Sequence, residues 1–240
     1  MSFDSNNRWS ASASTAIPQV GIDAGLRSYM LRVYNYMAGG LAITGVVAYL
    51  AAATGCYQAN AGTALIWLVI FAPLGLVLLL SFRINSMSLG AAQATFWTYA
   101  ALVGLSLAGL FLVYTGASIA RVFFITAATF LAMSLYGYTT KRDLARFGSF
   151  LFMGLIGIVI AGLVNMFVQS SAIQFAISVI GVLIFTGLTA WDTQQIKEMY
   201  WEGDGTAVMG KKAIMGALRL YLDFINLFVM LMQLMGNRRD

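Results

Sequence analysis

The sequence has no histidine and only one cysteine, Cys56, among its 240 residues. Without histidine, the chain lacks the general base of Ser-His and Cys-His catalysis, imidazole metal ligands and a histidine-based pH switch. A single cysteine cannot form an intrachain disulfide, and one thiol is too few for a zinc site. The last apolar segment, 220–236, also lacks the lysine that a retinal Schiff base requires. We therefore expect neither an enzyme nor a resident cofactor.

Charged residues are also scarce, at 10% of the chain. Hydrophobic residues make up 60%, and the mean hydropathy is +0.81. This composition is typical of an all-α polytopic membrane protein and not of a soluble domain. The formal net charge of +5 comes mostly from loops and tails. We therefore expect the basic residues to set the membrane topology and to contact membrane lipids, and not to bind nucleic acid.

Seven apolar segments come close to the ~20 residues that cross the ~30 Å hydrocarbon core of a bilayer. We expect a seven-helix transmembrane domain over 29–240, with the last helix at its centre. The preceding residues, 1–28, are rich in Ser, Asn and Ala and lack the apolar core of a signal peptide, which predicts a flexible cytoplasmic tail. The predicted spans are approximately 33–53, 64–82, 89–114, 120–138, 149–168, 172–191 and 220–236.

Small residues recur inside these spans at a spacing of four. Gly104 with Ala108, and Gly157 with Ala161, are two such pairs. Pairs of this kind allow helices to approach closely in lipid, where packing replaces the hydrophobic drive. In a glycine-rich chain they also arise by chance, and the sequence leaves both explanations open.

The last span carries one stripe of polar side chains. Arg219, Asp223, Asn226, Met230 and Gln233 follow one another at helical spacing and therefore share one face. A carboxylate at lipid depth is costly and usually faces a bundle interior or a wet cavity with a partner. We expect Asp223 to be a functional residue, with Arg219 and Asn226 as its supporting polar neighbours.

A second acid, Asp192, ends the sixth span at a comparable depth. It lies roughly 31 Å along the helix from Ser171, at the cytoplasmic edge of the core. If Arg219 marks the boundary of the last span and 215–218 is an amphipathic lead-in, Asp223 lies one turn inside, level with Asp192. Two ionised acids about 4 Å apart repel by about 4 kcal/mol at an effective dielectric of about 20, so such a pair is expected to share one proton. Alternatively, each acid is a helix-end residue paired with a basic side chain, and Arg83 and Arg219 are the nearby cations.

The distribution of Lys and Arg predicts a cytoplasmic N-terminus. Such an orientation is opposite to that of seven-helix signalling receptors. Arg238 and Arg239 disagree with an outside C-terminus, so the sequence does not decide whether the last segment crosses fully. The predicted cytoplasmic segments carry the basic residues Arg8, Arg27, Arg32, Arg83, Lys141, Arg142, Arg146, Lys197, Lys211 and Lys212.

Three motifs resemble the Bax inhibitor-1 (transmembrane Bax inhibitor motif) family, and its bacterial members most closely. They are LYLDFINLF at 220–228, IFTGLTAWDTQQIK at 184–197 and SLYGYTTKRDLARFGSFL at 134–151. The resemblance implies a bacterial inner-membrane protein whose seven-helix bundle wraps its last helix. It further implies that Asp192 and Asp223 form a pH-sensing pair gating a calcium leak, with Arg83 as the arginine that engages the pair.

The transported ion would be held only weakly. Calcium takes six to eight oxygen ligands, and Asp192 and Asp223 supply only part of that shell, which favours transient binding. Two other functions stay open on the sequence. One is a non-transporting interaction protein that modulates a membrane protease, another membrane protein, or a stress or cell-death response. The other is a proton-coupled transporter, because acid pairs also serve as proton relays.

Overall fold

The structure is a computed structural model that describes residues 19–60 and 62–239. Within these ranges the regular elements are helices, apart from one isolated β-bridge between Tyr114 and Arg238. The helices are α1 (Gln19–Ala53), α2 (Cys56–Asn60), α3 (Ala64–Arg83), α4 (Leu89–Val113), α5 (Gly116–Thr139), α6 (Ala145–Val168), α7 (Ser171–Glu198) and α8 (Thr206–Met235).

Six of the described helices are long and apolar enough to cross a membrane: α1, α4, α5, α6, α7 and α8. The remaining long helix, α3, has 20 residues, and its stretch Val69–Arg83 is apolar but shorter than a full span. Exposed apolar side chains cover the outside of the bundle, as expected for a surface that faces lipid. The prediction of an all-α, multi-pass membrane protein is confirmed.

The first helix begins earlier than predicted. Residues 19–28, assigned to the flexible tail, form the start of α1, whereas residues 1–18 lie outside the described residues. This extension is held by packing that the composition does not show. Tyr29 is fully buried, its ring lies 5.7 Å from that of Tyr200, and a Cβ at Gly25 would collide with the Tyr200 side chain.

The last helix also begins earlier, at Thr206, and is continuous over 30 residues. The predicted lead-in at 215–218 therefore belongs to this same continuous helix. Ala213, Ile214 and Ala217 are fully buried, so this first half is held inside the bundle by its neighbours.

Helix α8 is the most buried of the six membrane-length helices. In its apolar window 61% of the residues are buried, against at most 39% in the others. It packs against α1, α4, α5 and α7. Tyr221 illustrates this packing, because its hydroxyl lies 2.6 Å from Thr44 Oγ1 of α1 and its ring lies 5.5 Å from that of Tyr99 of α4.

Helix α8 runs from one end of the bundle to the other. Near its start, Lys211 Nζ donates to the carbonyl of Asn85, just after α3, at 3.0 Å. Beyond its end, the Arg239 amide donates to the Val113 carbonyl at 2.9 Å, and the Thr115 amide donates to that of Asn237 at 3.1 Å. Because α4 connects these two ends, the described C-terminal residues lie at the end opposite to the α3–α4 loop.

One of the two small-residue pairs marks a close helix crossing. A Cβ at Gly104 would lie 2.7 Å from the Thr44 carbonyl oxygen, so α4 meets α1 there. A Cβ at Gly157, in contrast, would meet nothing within 4 Å. The tightest backbone contact between two helices is at Gly137 of α5, where a Cβ would collide with the carbonyl oxygen of Ala190 in α7 and lie 2.8 Å from its carbonyl carbon.

Candidate functional site

The polar stripe of α8 faces α7 along its length. Arg219 pairs with Asp192 at one end of the stripe. Farther along, a Cβ at Gly181 would lie 2.9 Å from Met230 Cγ, so the Met230 side chain occupies the space that glycine leaves. Gln233 Oε1 accepts hydrogen bonds from Gln174 Nε2 at 2.6 Å and from Ser178 Oγ at 2.8 Å. The side chains of the polar stripe, which share one face of α8 because of its 3.6-residue period, therefore all lie at the contact with α7.

Asp192 and Asp223 line the same cavity, which has a volume of about 360 Å³. Arg219 and Asn226 are its other polar or charged lining residues. The apolar lining consists of Phe152, Leu155, Phe185, Leu188, Trp191 and Leu222, from α6, α7 and α8. The cavity therefore combines two acids, one cation and one amide with apolar walls.

Asp192 is buried, with 9% of its surface exposed, and has a cationic partner. Its Oδ1 lies 3.8 Å from Arg219 Nη1, and the arginine side chain is 44% exposed. Such a half-exposed pair is worth at most about 1 kcal/mol. Trp191 beside it fits because Gly148 of α6 has no side chain: a Cβ there would lie 2.6 Å from the indole Cδ2.

Asp223 is more deeply buried, with 4% of its surface exposed. Its carboxyl group lines the same cavity as that of Asp192, so the two acids interact electrostatically. Among the described residues, Oδ2 of Asp223 has no hydrogen-bond partner. A buried carboxylate oxygen without a partner is costly, so a proton or a cation entering the cavity would stabilise this group.

The structure does not bring Arg83 to this cavity. Arg83 is exposed at the end of α3 and is not among the cavity-lining residues that the structure describes. Two residues later, Asn85 contacts Lys211, which precedes Asp223 by roughly 18 Å of helix. The cation beside the acid pair is Arg219.

Asn226 lines the cavity and is tied to its own helix. Its Nδ2 donates to the Leu222 carbonyl at 2.8 Å, which leaves the amide oxygen free of that bond. The described residues contain no group of three or more His, Cys, Asp or Glu side chains that could hold a metal ion. The described lining therefore offers a cation two carboxylates and one side-chain amide oxygen, beside the positive charge of Arg219.

Sequence reasoning missed the polar side chains that follow Asp192. Gln194 is buried and holds the α5–α6 loop: its Oε1 accepts from the Leu144 amide at 2.9 Å, and its Nε2 donates to the Arg142 carbonyl at 2.8 Å. Thr193 Oγ1 lies 3.0 Å from Ser134 Oγ of α5. The sequence signal for these contacts is the run of polar residues after Asp192, in a helix that continues to Glu198. Consecutive polar residues point to different faces of a helix, so this run indicates polar contacts with more than one neighbouring helix.

Comparison with known proteins identifies the family of this chain. A family model described as inhibitor of apoptosis-promoting Bax1 matches residues 26–240. An uncharacterized protein of Rickettsia prowazekii is 52% identical over 223 residues, covering 91% of this chain and 93% of the relative. The inner membrane protein YbhL of Escherichia coli is 50% identical over 220 residues, covering 90% and 94%. An uncharacterized protein of Caulobacter vibrioides is 43% identical over 248 residues, covering 99% of each chain. The resemblance stated from the motifs is confirmed, and the chain belongs to the Bax inhibitor family.

Proposed function

We propose that the chain is a pH-sensitive calcium leak of the inner membrane, gated by the charge state of Asp192 and Asp223. The observation that carries this proposal is the buried Oδ2 of Asp223, which lacks a partner among the described residues inside a cavity shared with Asp192 and Arg219. The inner-membrane location follows the name of the E. coli relative.

The proposed membrane topology has seven spans. Helix α3 is added to the six helices of full membrane length, and α8 lies at the centre of the bundle. The 20 residues of α3 are enough for one crossing of a ~30 Å core. The N-terminus is then cytoplasmic, because most of the basic residues outside the core, including Lys141 and Lys211, lie at the end of the bundle where α1 begins. Arg121, Arg238 and Arg239 are the exceptions at the opposite end, where the last residues of the chain meet the α4–α5 loop.

The proposed gate is the contact between α7 and α8 at the two acids. When the pair holds a proton, one carboxyl group donates a hydrogen bond to the other. When the proton leaves, two carboxylates face each other across the same contact, with a repulsion of about 4 kcal/mol at about 4 Å and an effective dielectric of about 20. Arg219 offsets part of this repulsion through Asp192. The change biases the packing of α7 on α8 and with it the seal of the bundle.

Calcium is the proposed cargo and not a resident ion. The two carboxylates and the Asn226 amide oxygen offer fewer ligands than the six to eight that calcium takes, so water must supply the rest. A partly hydrated ion is held weakly and leaves readily, as a leak requires.

The test is calcium flux into reconstituted vesicles loaded with a calcium-sensitive dye. We expect wild-type flux to change between about pH 6 and pH 8 as the acid pair gains or loses its shared proton. Asp192→Asn and Asp223→Asn should each lose most of this pH response. Glu202→Gln removes an exposed acid by the same chemical change and should retain the pH response.

Wild-type flux equal to that of empty vesicles would reject the leak and favour an interaction protein. Proton counter-flow in proportion to the transported solute would favour a transporter.

A second flux experiment tests which cation interacts with the acid pair. Arg219→Gln removes the positive charge 3.8 Å from Asp192, which makes loss of the proton less favourable. The pH at which flux changes should therefore rise by roughly half a unit, as expected for a half-exposed ion pair. Arg83→Gln, the matched control, should leave that pH unchanged. The reverse result would return Arg83 to the role that the family resemblance implies.

A further inference from the structure

A second, larger cavity lies between α1 and α4 and shares no lining residue with the acid cavity. Its volume is about 750 Å³, and it is open to the outside of the bundle. It lies toward the end at which α1 begins and α3 ends. It is lined by Ala24, Arg27, Ser28, Leu31, Arg32, Asn35, Tyr36 and Trp97.

The charged residues described in the lining of this cavity are both basic. They are Arg27 and Arg32, and no acidic side chain that the structure describes lies in the lining. Among the side chains that the structure describes, neither arginine has an ion-pair partner. A guanidinium group presents a planar set of donors that matches phosphate oxygens, so two arginines that line one cavity indicate an anionic, phosphate-like ligand.

The depth of the arginines coincides with the surface of a bilayer. Arg32 precedes Ala53, the end of α1, by 21 residues, or roughly 32 Å of helix. The hydrocarbon core is about 30 Å thick, so Arg32 lies at its boundary and Arg27 lies one to two turns beyond it. Lipid phosphates are found at this level.

Two aromatic side chains lie just inside the arginines. Tyr36 is roughly 26 Å from Ala53 along α1, and Trp97 is roughly 24 Å from Val113 along α4. Their ring centroids are 5.7 Å apart, which fixes both rings in the cavity wall. Tyr and Trp are enriched at this level, where the apolar ring meets acyl chains and the polar atom meets headgroups.

The polar atoms of this wall are suited to glycerol and phosphate oxygens. The Tyr36 hydroxyl accepts a hydrogen bond from Gln93 Nε2, so its own proton is available to an acceptor in the cavity. Leu31, between the two arginines, is 53% exposed and offers an apolar surface beside them. A soluble phosphate would use the arginines alone, whereas a lipid uses the arginines, the aromatic polar atoms and the apolar surface together.

We propose that the cavity between α1 and α4 binds the headgroup of an anionic phospholipid. Arg27 and Arg32 contact the phosphate, Tyr36 and Trp97 contact the glycerol region, and the acyl chains descend along the outer faces of α1 and α4. The proposal does not depend on calcium transport, because it involves neither Asp192 nor Asp223.

The test is lipid retention by the purified full-length chain, measured by native mass spectrometry with phosphatidylglycerol and phosphatidylcholine. We expect phosphatidylglycerol to bind and phosphatidylcholine to bind at least tenfold more weakly. The double variant Arg27→Gln/Arg32→Gln should weaken phosphatidylglycerol binding by about 30-fold, from the contribution of two basic residues near an anionic lipid. The matched control, Arg238→Gln/Arg239→Gln, removes the same charge at the other end and should weaken binding less than twofold.

Three results would overturn the proposal. One is equal retention of the two lipids by the wild-type chain. Another is an equal loss of binding in the two double variants, which would show a general effect of net charge. The third is displacement of phosphatidylglycerol by glycerol 3-phosphate at equal concentration, which would identify a soluble phosphate as the ligand. Circular dichroism of both variants checks that their helical content is unchanged, as expected for arginines that lie outside the buried core.

Discussion

Gly137→Ala is expected to destabilise the bundle by about 3 kcal/mol, near the upper end of overpacking effects. The added methyl group would collide with the carbonyl oxygen of Ala190 and lie 2.8 Å from its carbonyl carbon. Both atoms belong to the α7 backbone, which cannot move aside as a flexible side chain can. Ala190 is two residues before Asp192, so any separation of α5 from α7 also displaces the acid pair.

The measurement is chemical or thermal unfolding of the purified protein in detergent. Gly157→Ala is the control, because a methyl group there meets nothing within 4 Å. It should be neutral or raise stability by about 0.5–1 kcal/mol, since alanine favours a helix over glycine. Equal destabilisation by the two substitutions would show that the loss of glycine, and not the α5–α7 contact, sets the stability.

Much of this fold could be predicted because membrane helices are recognised from the length and hydropathy of their apolar segments. Spans such as α4 and α6 are predominantly apolar, so their ends fell within a few residues of the predictions. The early starts of α1 and α8 could not be found in this way. Lys211 and Lys212 interrupt the hydropathy of α8, and only tertiary packing explains why Ala213 and Ala217 nearby are fully buried.

The candidate site could likewise be predicted only in part. The helical period places Arg219 and Asp223 on one face of α8, and a depth argument places Asp192 level with them, so their convergence could be predicted. The choice between Arg83 and Arg219 could not, because it depends on which neighbour α3 packs against. In the structure α3 packs mainly on α4, away from the contact between α7 and α8.

Gln194→Leu is expected to cost about 3 kcal/mol of stability. The Gln194 side chain is buried and satisfies two main-chain groups of the α5–α6 loop, the Leu144 amide and the Arg142 carbonyl. Leucine has nearly the same volume but offers neither a donor nor an acceptor. Each buried polar group left without a partner costs roughly 1–3 kcal/mol, and Leu144 is itself buried.

Gln195→Leu provides the control for this prediction, because it makes the same chemical change one residue farther along α7. Among the described residues, the Gln195 side chain donates to the exposed Glu198, at 3.0 Å, and to no buried group, so its loss should change stability by less than about 0.5 kcal/mol. Unfolding in denaturant measures both variants under the same conditions. If Gln194→Leu behaved like Gln195→Leu, water would have to satisfy the loop amide and carbonyl, and the α5–α6 loop would not be held by α7. A large difference would instead show that the polar run after Asp192 joins α5, α6 and α7 beside the acid pair.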